Sequence, residues 1–373
     1  MTHSNSPIRT IGILGGGQLG MMMARSAMQL GFRCVFLEDT PYAPASLYGQ
    51  VHSTHQLSEF IAKSDIFTLE FENTPVATAQ FLANLTDKGG IYPPPNALAV
   101  AQDRLAEKAL FNQLDVPTVP YRAVNSQDEL QTACDELGLP LVVKTSRGGY
   151  DGKGQFVIRR TDDIAVAWRE LGAAVSTGAM PAPLIAEGFI DFSREVSLIA
   201  VRSKTGEIAY YPLVENHHTD GILAKTLAPA PACDTLTPAA QHSIAKIMHH
   251  LDYVGVMTLE LFVSDTGLIA NEIAPRVHNS GHWSIEGAVC SQFENHMRAV
   301  LGLPLGDTSI TTPSVMLNVI GKYPNEAALL AIDGVHYHHY HKDERAGRKI
   351  AHITLTKDLD ETIADVERLL CNG

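Results

Sequence analysis

Two glutamates near the middle of the sequence have the spacing expected of a divalent-cation site. Glu260 and Glu272 lie in two alternating apolar segments that an Asp-Thr-Gly connection separates. If that connection is a three-residue turn, Ser264 pairs with Leu268 and Glu260 faces Glu272 across an antiparallel hairpin. Facing like charges destabilise a ladder, whereas Mg²⁺ between them would bind carboxylate and phosphate oxygens together. The spacing therefore predicts a metal site, and two solvated edge glutamates are the alternative.

A lysine directly before a glycine-rich segment predicts a site for nucleotide phosphates. Lys144 lies in the apolar stretch Leu-Val-Val-Lys-Thr, and residues 146–154 then contain four glycines. We expect a hairpin whose connection is a glycine flap, with one ammonium and several backbone N–H groups over a triphosphate. A solvated lysine at a strand edge is the alternative.

A third feature is the glycine turn at residues 15–20, which reads Gly-Gly-Gly-Gln-Leu-Gly and has Glu38 at the end of the next apolar segment. It matches the pattern of dinucleotide-binding proteins, in which N–H groups at a helix N-terminus approach a pyrophosphate. A turn that only packs the helix on the strand is one alternative, and an NAD-dependent oxidoreductase is another.

Cationic and hydrogen-bonding side chains are concentrated in two short segments of an otherwise acidic chain. Arg276, His278, Asn279 and His282 follow the predicted metal hairpin and indicate an anion site, although the histidines could instead bond to backbone groups. The second segment is a basic tail, for which a solvated loop is the alternative; it comprises Lys342, Arg345, Arg348 and Lys349. The histidines just before it alternate with tyrosines, as in a strand, and we do not expect them to hold a metal.

These residues need a scaffold of several lobes, because 373 residues exceed the usual size of one domain. Alternating short strands and helices predict a parallel α/β domain at 1–115, including one helix over residues 99–114. Prolines then precede a small α+β lobe at 116–190, and a larger, mainly antiparallel lobe occupies 191–373. The strand at residues 65–71 would bring Glu72 into the crevice at the carboxyl ends of the first sheet.

Composition limits the partners and the compartment. The formal charge of −13 leaves no basic surface from which to expect binding to nucleic acid or anionic lipid. No apolar run approaches the roughly 20 residues of a membrane helix. Five scattered cysteines suit neither a zinc cage nor a disulfide framework, so we expect a cytoplasmic protein.

Five segments of the chain together resemble the ATP-grasp enzymes, and most closely the 5-(carboxyamino)imidazole ribonucleotide synthase family. The resemblance rests on residues 12–20, 101–104, 149–155, 271–282 and 347–349. It departs from the family at Ala346, where the family has a proline before Gly-Arg-Lys. It implies an ATP-grasp architecture with a Rossmann-like first domain, a small lobe with the glycine flap, and a C-terminal lobe with the metal site and a tail for the substrate phosphate.

The resemblance also implies an activity. A member of this family would use ATP and bicarbonate, through carboxyphosphate, to carboxylate the exocyclic amine of 5-aminoimidazole ribonucleotide in de novo purine biosynthesis. It would release ADP and phosphate, use Mg²⁺ or Mn²⁺, bind small-molecule substrates only, and form a homodimer. Another ATP-grasp carboxylate-amine ligase, of the formate-dependent glycinamide ribonucleotide transformylase or biotin carboxylase type, is the main alternative. A non-catalytic nucleotide sensor is a more distant one.

Site residues follow from the resemblance position by position. ATP binding is implied for Arg104, Lys144, Gly149, Tyr150, Asp151, Gly152, Lys153, Gly154, Gln155, Glu187, Gly188, Phe189, Ile190, Glu195, His218, Asn271 and Glu272. Ribonucleotide binding is implied for Gly17, Gln18, Leu19, Glu72, Tyr150, Lys153, Lys342, Arg345, Arg348 and Lys349. Catalytic roles are implied for Arg276, His278 and Asn279. Asp151 is the candidate base for the amine, and a turn residue of the flap is the alternative. Glu260 and Glu272 would hold the metal.

Overall fold

The computed structural model describes residues 9–148, 154–176 and 182–371, which three β-sheets organise. The first sheet is parallel and the other two are antiparallel throughout their named strand pairs. The predicted combination of α/β and α+β architecture is therefore confirmed. No helix within the described ranges is both long enough and apolar enough to cross a membrane.

The first sheet has five strands in the order β3-β2-β1-β4-β5. Its strands are β1 (Thr10–Leu14), β2 (Arg33–Leu37), β3 (Gly49–His52), β4 (Ile66–Leu69) and β5 (Ile91–Tyr92). Its helices are α1 (Gln18–Gln29), α2 (Leu57–Lys63), α3 (Val76–Ala83) and α4 (Pro95–Ala101). Apolar β-branched and aromatic residues make β4 buried along its whole length, as expected for a strand covered on both faces. The parallel order brings the carboxyl ends of β1, β2 and β4 side by side.

The single helix predicted for residues 99–114 is wrong, because the chain forms two helices there. Helix α4 ends at Ala101, and α5 (Arg104–Gln113) begins two residues beyond its C-cap. Between them Asp103 adopts an extended backbone, and its side chain accepts bonds from Leu105 N and Ala106 N. Such an N-cap contributes about 1 kcal/mol and sets the first turn of a helix at Arg104.

The second sheet forms the small lobe, in the order β6-β9-β7-β8. Its strands are β6 (Tyr121–Val124), β7 (Leu141–Thr145), β8 (Gln155–Ile158) and β9 (Leu184–Gly188), and its helices are α6 (Gln127–Leu137), α7 (Asp163–Leu171) and α8 (Ala173–Ser176). The predicted hairpin is confirmed, since β7 pairs with β8 and Lys144 stands opposite Gln155. Five residues of the flap, 149–153, lie outside the described residues.

The third sheet is the largest, in the order β15-β14-β10-β12-β13-β16-β18-β17, with β11 paired to β10. Its strands are β10 (Arg194–Arg202), β11 (Ile208–Tyr210), β12 (Val214–Thr219), β13 (Ile222–Ala228), β14 (Gly255–Ser264), β15 (Gly267–Ala274), β16 (Ser314–Ile320), β17 (Val335–His339) and β18 (Lys349–Leu355). Its helices are α9 (Thr237–His250), α10 (Ser284–Gly287), α11 (Gln292–Leu301), α12 (Glu326–Leu330) and α13 (Leu359–Cys371). Strand β17 contains residues 336–339 of the alternating histidine-tyrosine segment, as predicted, whereas Tyr340 and His341 lie beyond it.

The first domain packs on the third sheet through α1 and α11. Met23 and Ala27 of α1 belong to one buried apolar cluster with Phe293 and Met297 of α11. Burying side chains of this size contributes roughly 1.5–3 kcal/mol each. Beside this contact His296 accepts a bond from Val256 N at 3.1 Å and lies 2.8 Å from Thr68 Oγ1. This packing holds the carboxyl ends of the first sheet against the end of hairpin β14–β15.

Candidate active site

Hairpin β14–β15 carries the two glutamates opposite each other, as predicted, but by a different register. The connection contains two residues, because Ser264 pairs with Gly267 and Val263 with Leu268. Gly267 has a φ of 114°, which a tight turn requires and other residues rarely adopt. A bulge at Asn271 then shifts the ladder by one residue and restores the Glu260–Glu272 pair.

The same sheet face continues onto the neighbouring strands. Ser197 of β10 pairs with Glu260, and Glu195 two residues earlier points to the same side. Next to it, His218 Nδ1 of β12 lies 3.0 Å from Glu195 Oε2. Burial lowers the pKa of His218, but the Glu195 carboxylate outweighs burial and raises it. Glu272, Glu260, Glu195 and His218 therefore follow one another across one face.

The facing glutamates differ in the direction of their pKa shifts. Burial raises the pKa of Glu260, but His278, whose Nε2 is 3.1 Å away, outweighs burial and lowers it. Burial and then the Glu260 charge raise the pKa of Glu272 to about 7. Such a pair fits a divalent cation, which would favour both ionised forms. No group of three or more His, Cys, Asp or Glu in the described part of the chain could hold a metal, so phosphate and water oxygens would complete the coordination.

Glu107, which sequence reasoning missed, lies behind this pair. Its carboxylate is buried and accepts a bond of 2.7 Å from Ile273 N. Burial, followed by the charge of Glu272, raises its pKa to about 8. The signal in the sequence is that Glu107 shares a helical stripe with Leu110 and Phe111, where an apolar residue is expected.

The predicted phosphate-binding lysine makes an ion pair in the second sheet. Lys144 Nζ lies 2.6 Å from Glu187 Oε2, and Lys108 Nζ of α5 lies 3.5 Å from the other oxygen. Burial raises the pKa of Glu187, but the two lysines outweigh burial and lower it. Burial lowers the pKa of Lys108, against the opposing effect of Glu187. Lys108 is a second residue that the sequence did not reveal.

Hydrogen bonds connect Arg104 to the end of β7 and the start of the flap. Arg104 Nη1 donates to Thr145 O at 3.0 Å, and its backbone N–H donates to Ser146 O at 2.9 Å. Arg147 forms a salt bridge of 2.8 Å with Asp103. The N-terminus of α5 thus places Arg104 next to the strand that carries Lys144.

The remaining residues predicted to bind the nucleotide lie at the end of β9 and in the flap. Glu187 and Gly188 end β9, while Phe189 and Ile190 follow it; Phe189 is exposed. Gln155 begins β8, and Gly154 directly precedes it. The predicted roles of Gly149, Tyr150, Asp151, Gly152 and Lys153 concern residues outside the described ranges.

Arg276 connects the end of the metal hairpin to the first domain. Its guanidinium forms an ion pair with Glu72, which follows β4. Burial raises the pKa of Glu72, but Arg276 outweighs burial and lowers it to about 2. Two residues predicted separately, one for an anion and one for the ribonucleotide, are therefore direct partners.

The segment after Arg276 is held rigidly by side-chain bonds. Gln292 accepts from His278 N at 2.9 Å and donates to His278 O at 2.6 Å. His278 Nδ1 accepts from Ser280 N, so its Nε2 carries the proton that faces Glu260. The side-chain amides of Asn279 and Asn318 of β16 donate a hydrogen bond to each other.

His282 does not belong to this anion cluster. Its side chain is buried, with its ring 5.4 Å from Phe293 and 4.8 Å from His352. Burial lowers its pKa well below the usual value, as expected of a neutral core histidine. The neighbouring Ser280 and Trp283 are also fully buried, so this segment passes through the core.

The glycine turn already binds an internal carboxylate. Glu70, which follows β4, accepts bonds from Gly17 N and, at 2.6 Å, from Gly20 N. A Cβ at Gly17 would lie 2.7 Å from the same carboxylate. Gly16 N donates to Glu38 at 3.2 Å. Because these N–H groups are satisfied by anions of the protein, the turn is poorly suited to a pyrophosphate.

The basic tail reaches this turn. Lys342 Nζ donates to Gln18 Oε1, and the Glu70 charge acts on the same ammonium. Burial, followed by the charge of Arg348, lowers the pKa of Lys342 to about 8, and Lys349 and Arg345 act in the same direction. Arg348, Lys349 and Arg345 therefore lie near Lys342, which contacts Gln18 at the start of α1.

Comparisons with known proteins identify relatives over nearly the whole chain. Three family models match in order: the ribonucleotide synthetase preATP-grasp domain at 8–102, the ATP-grasp domain at 109–293 and the phosphoribosylaminoimidazole carboxylase C-terminal domain at 314–366. The N5-carboxyaminoimidazole ribonucleotide synthase of Pseudomonas aeruginosa is 45% identical over 372 residues, which cover 96% of this chain and 99% of that protein.

Solved structures give the same result. The N5-carboxyaminoimidazole ribonucleotide synthetase of Thermus thermophilus is 46% identical with a TM-score of 0.90, covering 96% of this chain and 98% of that one. The Aspergillus clavatus synthase, solved with ADP and 5-aminoimidazole ribonucleotide, is 30% identical with a TM-score of 0.86, covering 97% and 99%. The chain therefore belongs to the N5-carboxyaminoimidazole ribonucleotide synthase family of ADP-forming ATP-grasp ligases.

Proposed function

We propose that this protein carboxylates the exocyclic amine of 5-aminoimidazole ribonucleotide, using ATP and bicarbonate, in de novo purine biosynthesis. The observation that carries the proposal is the Arg276–Glu72 ion pair. It joins the hairpin with the facing glutamates to the strand end beside the glycine turn, so a nucleotide site and a second small-molecule site share one crevice. The relative from Aspergillus clavatus was solved with ADP and this ribonucleotide together, which supports two adjoining sites.

The proposed reaction has two steps. A bicarbonate oxygen attacks the γ-phosphorus of ATP, ADP leaves, and carboxyphosphate forms. The amine nitrogen then attacks the carboxyl carbon, phosphate leaves with the bridging oxygen, and the amine loses a proton. Arg276 is suited to stabilise the charge on the transferring phosphoryl group, with His278 and Asn279 beside it. Asp151 is proposed to accept the proton of the amine.

ATP is proposed to lie between the small lobe and the face of the third sheet. Arg104 and Lys144 would neutralise its phosphates under the flap, the backbone of residues 187–190 would bond to adenine, and Glu195 would accept bonds from the ribose. His218, Asn271 and Glu272 complete this set. Glu260 and Glu272 would hold Mg²⁺, or Mn²⁺ in its place, which when bound supplies charge neutralisation at the phosphate oxygens.

The ribonucleotide is proposed to lie over the glycine turn. Gly17, Gln18, Leu19 and Glu72 would line its base and ribose, and Tyr150 and Lys153 of the flap would cover it. Its phosphate would be bound by the basic tail, Lys342, Arg345, Arg348 and Lys349. The contact of Lys342 with Gln18 supports this location, because it brings the tail to the turn.

Two further features belong to the proposal: a homodimer and a cytoplasmic location. The four described cysteines are unpaired, which suits a reducing compartment. Another ATP-grasp carboxylate-amine ligase activity would use the same ATP residues with a different acceptor. An oxidoreductase is disfavoured, because Glu70 occupies the N–H groups that a dinucleotide would need.

Labelled bicarbonate tests the carboxyphosphate step. With bicarbonate carrying ¹⁸O at every oxygen, the phosphate released in the presence of the ribonucleotide should contain one ¹⁸O atom per molecule. Phosphate without label, formed together with carboxylated product, would contradict a carboxyphosphate intermediate. Stoichiometric ADP and product in the same samples provide the control for turnover.

A further inference from the structure

One buried carboxylate in the nucleotide site has two lysine partners. Glu187 has 5% of its side chain exposed, and its two oxygens face different ammonium groups. Lys144 is 2.6 Å from one oxygen, and Lys108 is 3.5 Å from the other. The carboxylate therefore has one more counter-ion than its charge requires.

The two lysines differ in how firmly they are held. Lys108 has 2% of its side chain exposed, and its ammonium also donates to Thr118 Oγ1 at 3.0 Å and to Asn271 O at 2.9 Å. Lys144 is 19% exposed and directly precedes the flap segment. Within the described ranges, its one ion-pair partner is Glu187. Lys144 can therefore turn towards a ligand, whereas Lys108 cannot without losing several bonds.

The charge balance around Glu187 changes if Lys144 moves to a phosphate. A buried carboxylate that loses its only ion-pair partner strongly destabilises the protein. If Lys144 were the only partner of Glu187, this cost would therefore oppose the movement of Lys144 to a phosphate. With Lys108 in place, Glu187 keeps a counter-ion in both arrangements. Lys108 and Glu187 belong to different lobes, α5 and β9, so the arrangement depends on their packing.

We propose that Lys108 is a positioning residue that serves as the permanent counter-ion of Glu187, so that Lys144 can exchange between Glu187 and the phosphates of ATP. Lys108 itself does not touch the nucleotide. The inference rests on the proposed role of Lys144 as a phosphate ligand. It predicts that removing the Lys108 charge weakens binding of phosphate-bearing nucleotides selectively, because Lys144 then stays with Glu187.

Calorimetric titration of ATP and adenosine into the full-length protein tests the proposal. Lys108→Met should weaken ATP binding by about 10-fold or more, since an uncompensated buried charge opposes the transfer of Lys144. Adenosine binding should change by less than about twofold, because adenosine does not recruit Lys144. Lys246→Met is the matched control: this lysine bonds to Leu114 O, at the C-terminal end of the same helix α5. That variant should bind both ligands like the wild type.

A second background shows whether charge is the cause. In the Glu187→Gln protein Lys144 does not have to break an ion pair with a carboxylate before it binds ATP. Adding Lys108→Met to this variant should therefore weaken ATP binding by less than about threefold. Equal weakening of ATP and adenosine by Lys108→Met would show that the lysine only supports the fold, and would overturn the proposal. The same loss of ATP affinity in both backgrounds would also overturn it. If Lys108→Met does not fold, Lys108→Gln serves in the same comparison.

The wild type and Lys144→Met separate this inference from its premise. Wild-type protein should bind ATP more tightly than adenosine, and Lys144→Met should lose most of that preference. If the wild type shows no preference, both the phosphate role of Lys144 and the Lys108 proposal are wrong. If the preference depends on Lys144 but is unchanged in Lys108→Met, only the Lys108 proposal is wrong.

Discussion

At the scale of single residues, the site is a set of carboxylates whose charge is controlled by their neighbours. Against the effect of burial, Arg276 holds the pKa of Glu72 at about 2. Burial and Glu260, in contrast, raise the pKa of Glu272 to about 7. The sequence revealed the Glu260–Glu272 pair because strand alternation and a short connection are local properties. It did not reveal Glu107, Lys108 or Glu70 as parts of the site. Helical periodicity puts Glu107 among apolar positions, but it carries no information about partners that lie far away along the chain.

Glu272→Gln tests the metal site. Glutamine keeps the shape but removes an anionic ligand, so we expect turnover to fall on the order of 10²-fold or more at saturating Mg²⁺. Because the pKa of Glu272 is raised from 4.5 to about 7, its contribution to the stability of the folded, metal-free protein falls as the pH rises from about 4.5 to about 7, and the full cost applies above that range. The melting temperature of the metal-free variant at pH 8 should therefore equal or exceed that of the wild type.

Steady-state rates across a Mg²⁺ titration, together with thermal melting, check this prediction. Glu136→Gln, an exposed glutamate of the small lobe, is the control and should behave like the wild type. A Glu272→Gln enzyme with wild-type rates at low Mg²⁺ would refute the assignment of the metal ligands.

Arg348→Ala tests the role of the basic tail. A charge-assisted contact with a phosphate contributes about 1.5–3 kcal/mol, so KM for 5-aminoimidazole ribonucleotide should rise roughly 10- to 150-fold, with little change in KM for ATP. Arg122→Ala removes an exposed salt bridge elsewhere and should change neither constant. An equal rise in both constants would place Arg348 on ATP, and unchanged constants would indicate a solvated loop.

At the scale of elements, the departures from the sequence-based expectation have specific causes. The helix expected over residues 99–114 is interrupted because Asp103 caps α5, a signal that the sequence contains but that continuous apolar periodicity obscured. The turn of hairpin β14–β15 has two residues, because Gly267 accepts a positive φ, and the bulge at Asn271 compensates for the shorter connection. Bulges leave no clear sequence signature, so the register at the turn was predicted wrongly. The Glu260–Glu272 pair was nevertheless predicted correctly, because the bulge offsets the shorter turn.

His296 connects three elements and predicts a pH dependence of stability. Its ring bonds α11 to Val256 of β14 and to Thr68 of β4, and burial lowers its pKa from 6.5 to about 4. Below pH 6.5 the unfolded chain takes up a proton that the folded protein does not. The contribution of His296 to the free energy of unfolding is therefore fully present above about pH 6.5. It falls by about 3 kcal/mol as the pH drops towards 4.

Melting temperatures of the wild type and His296→Gln between pH 7 and pH 4.5 check the prediction. The variant should be less stable at pH 7, yet lose less of its stability on acidification, because it cannot take up this proton. His249→Gln, which replaces a histidine at the exposed end of α9, is the control and should follow the wild-type curve. Parallel curves for the wild type and His296→Gln would show that His296 does not titrate in this way.

At the scale of the whole molecule, side chains from distant parts of the sequence close one crevice. Arg276 meets Glu72, and Lys342 reaches Gln18 at the start of α1. Sequence reasoning predicted three lobes and the segments that carry charge, because both follow from composition and local pattern. Local pattern could not predict that the tail would cross to the glycine turn, which only the family resemblance implied by assigning both to one ribonucleotide. Neither pattern nor resemblance predicted that Glu70 would occupy that turn, because this depends on the packing of the complete domain.

The most direct test of this account is ADP release at fixed ATP, Mg²⁺ and bicarbonate, measured with and without 5-aminoimidazole ribonucleotide. The account predicts that the ribonucleotide stimulates ADP release many-fold, that stimulation requires bicarbonate, and that one carboxylated product forms per ADP. Glycinamide ribonucleotide with formate, and biotin with bicarbonate, should not stimulate release. ADP release that responds to either of these acceptors and not to 5-aminoimidazole ribonucleotide would contradict the account.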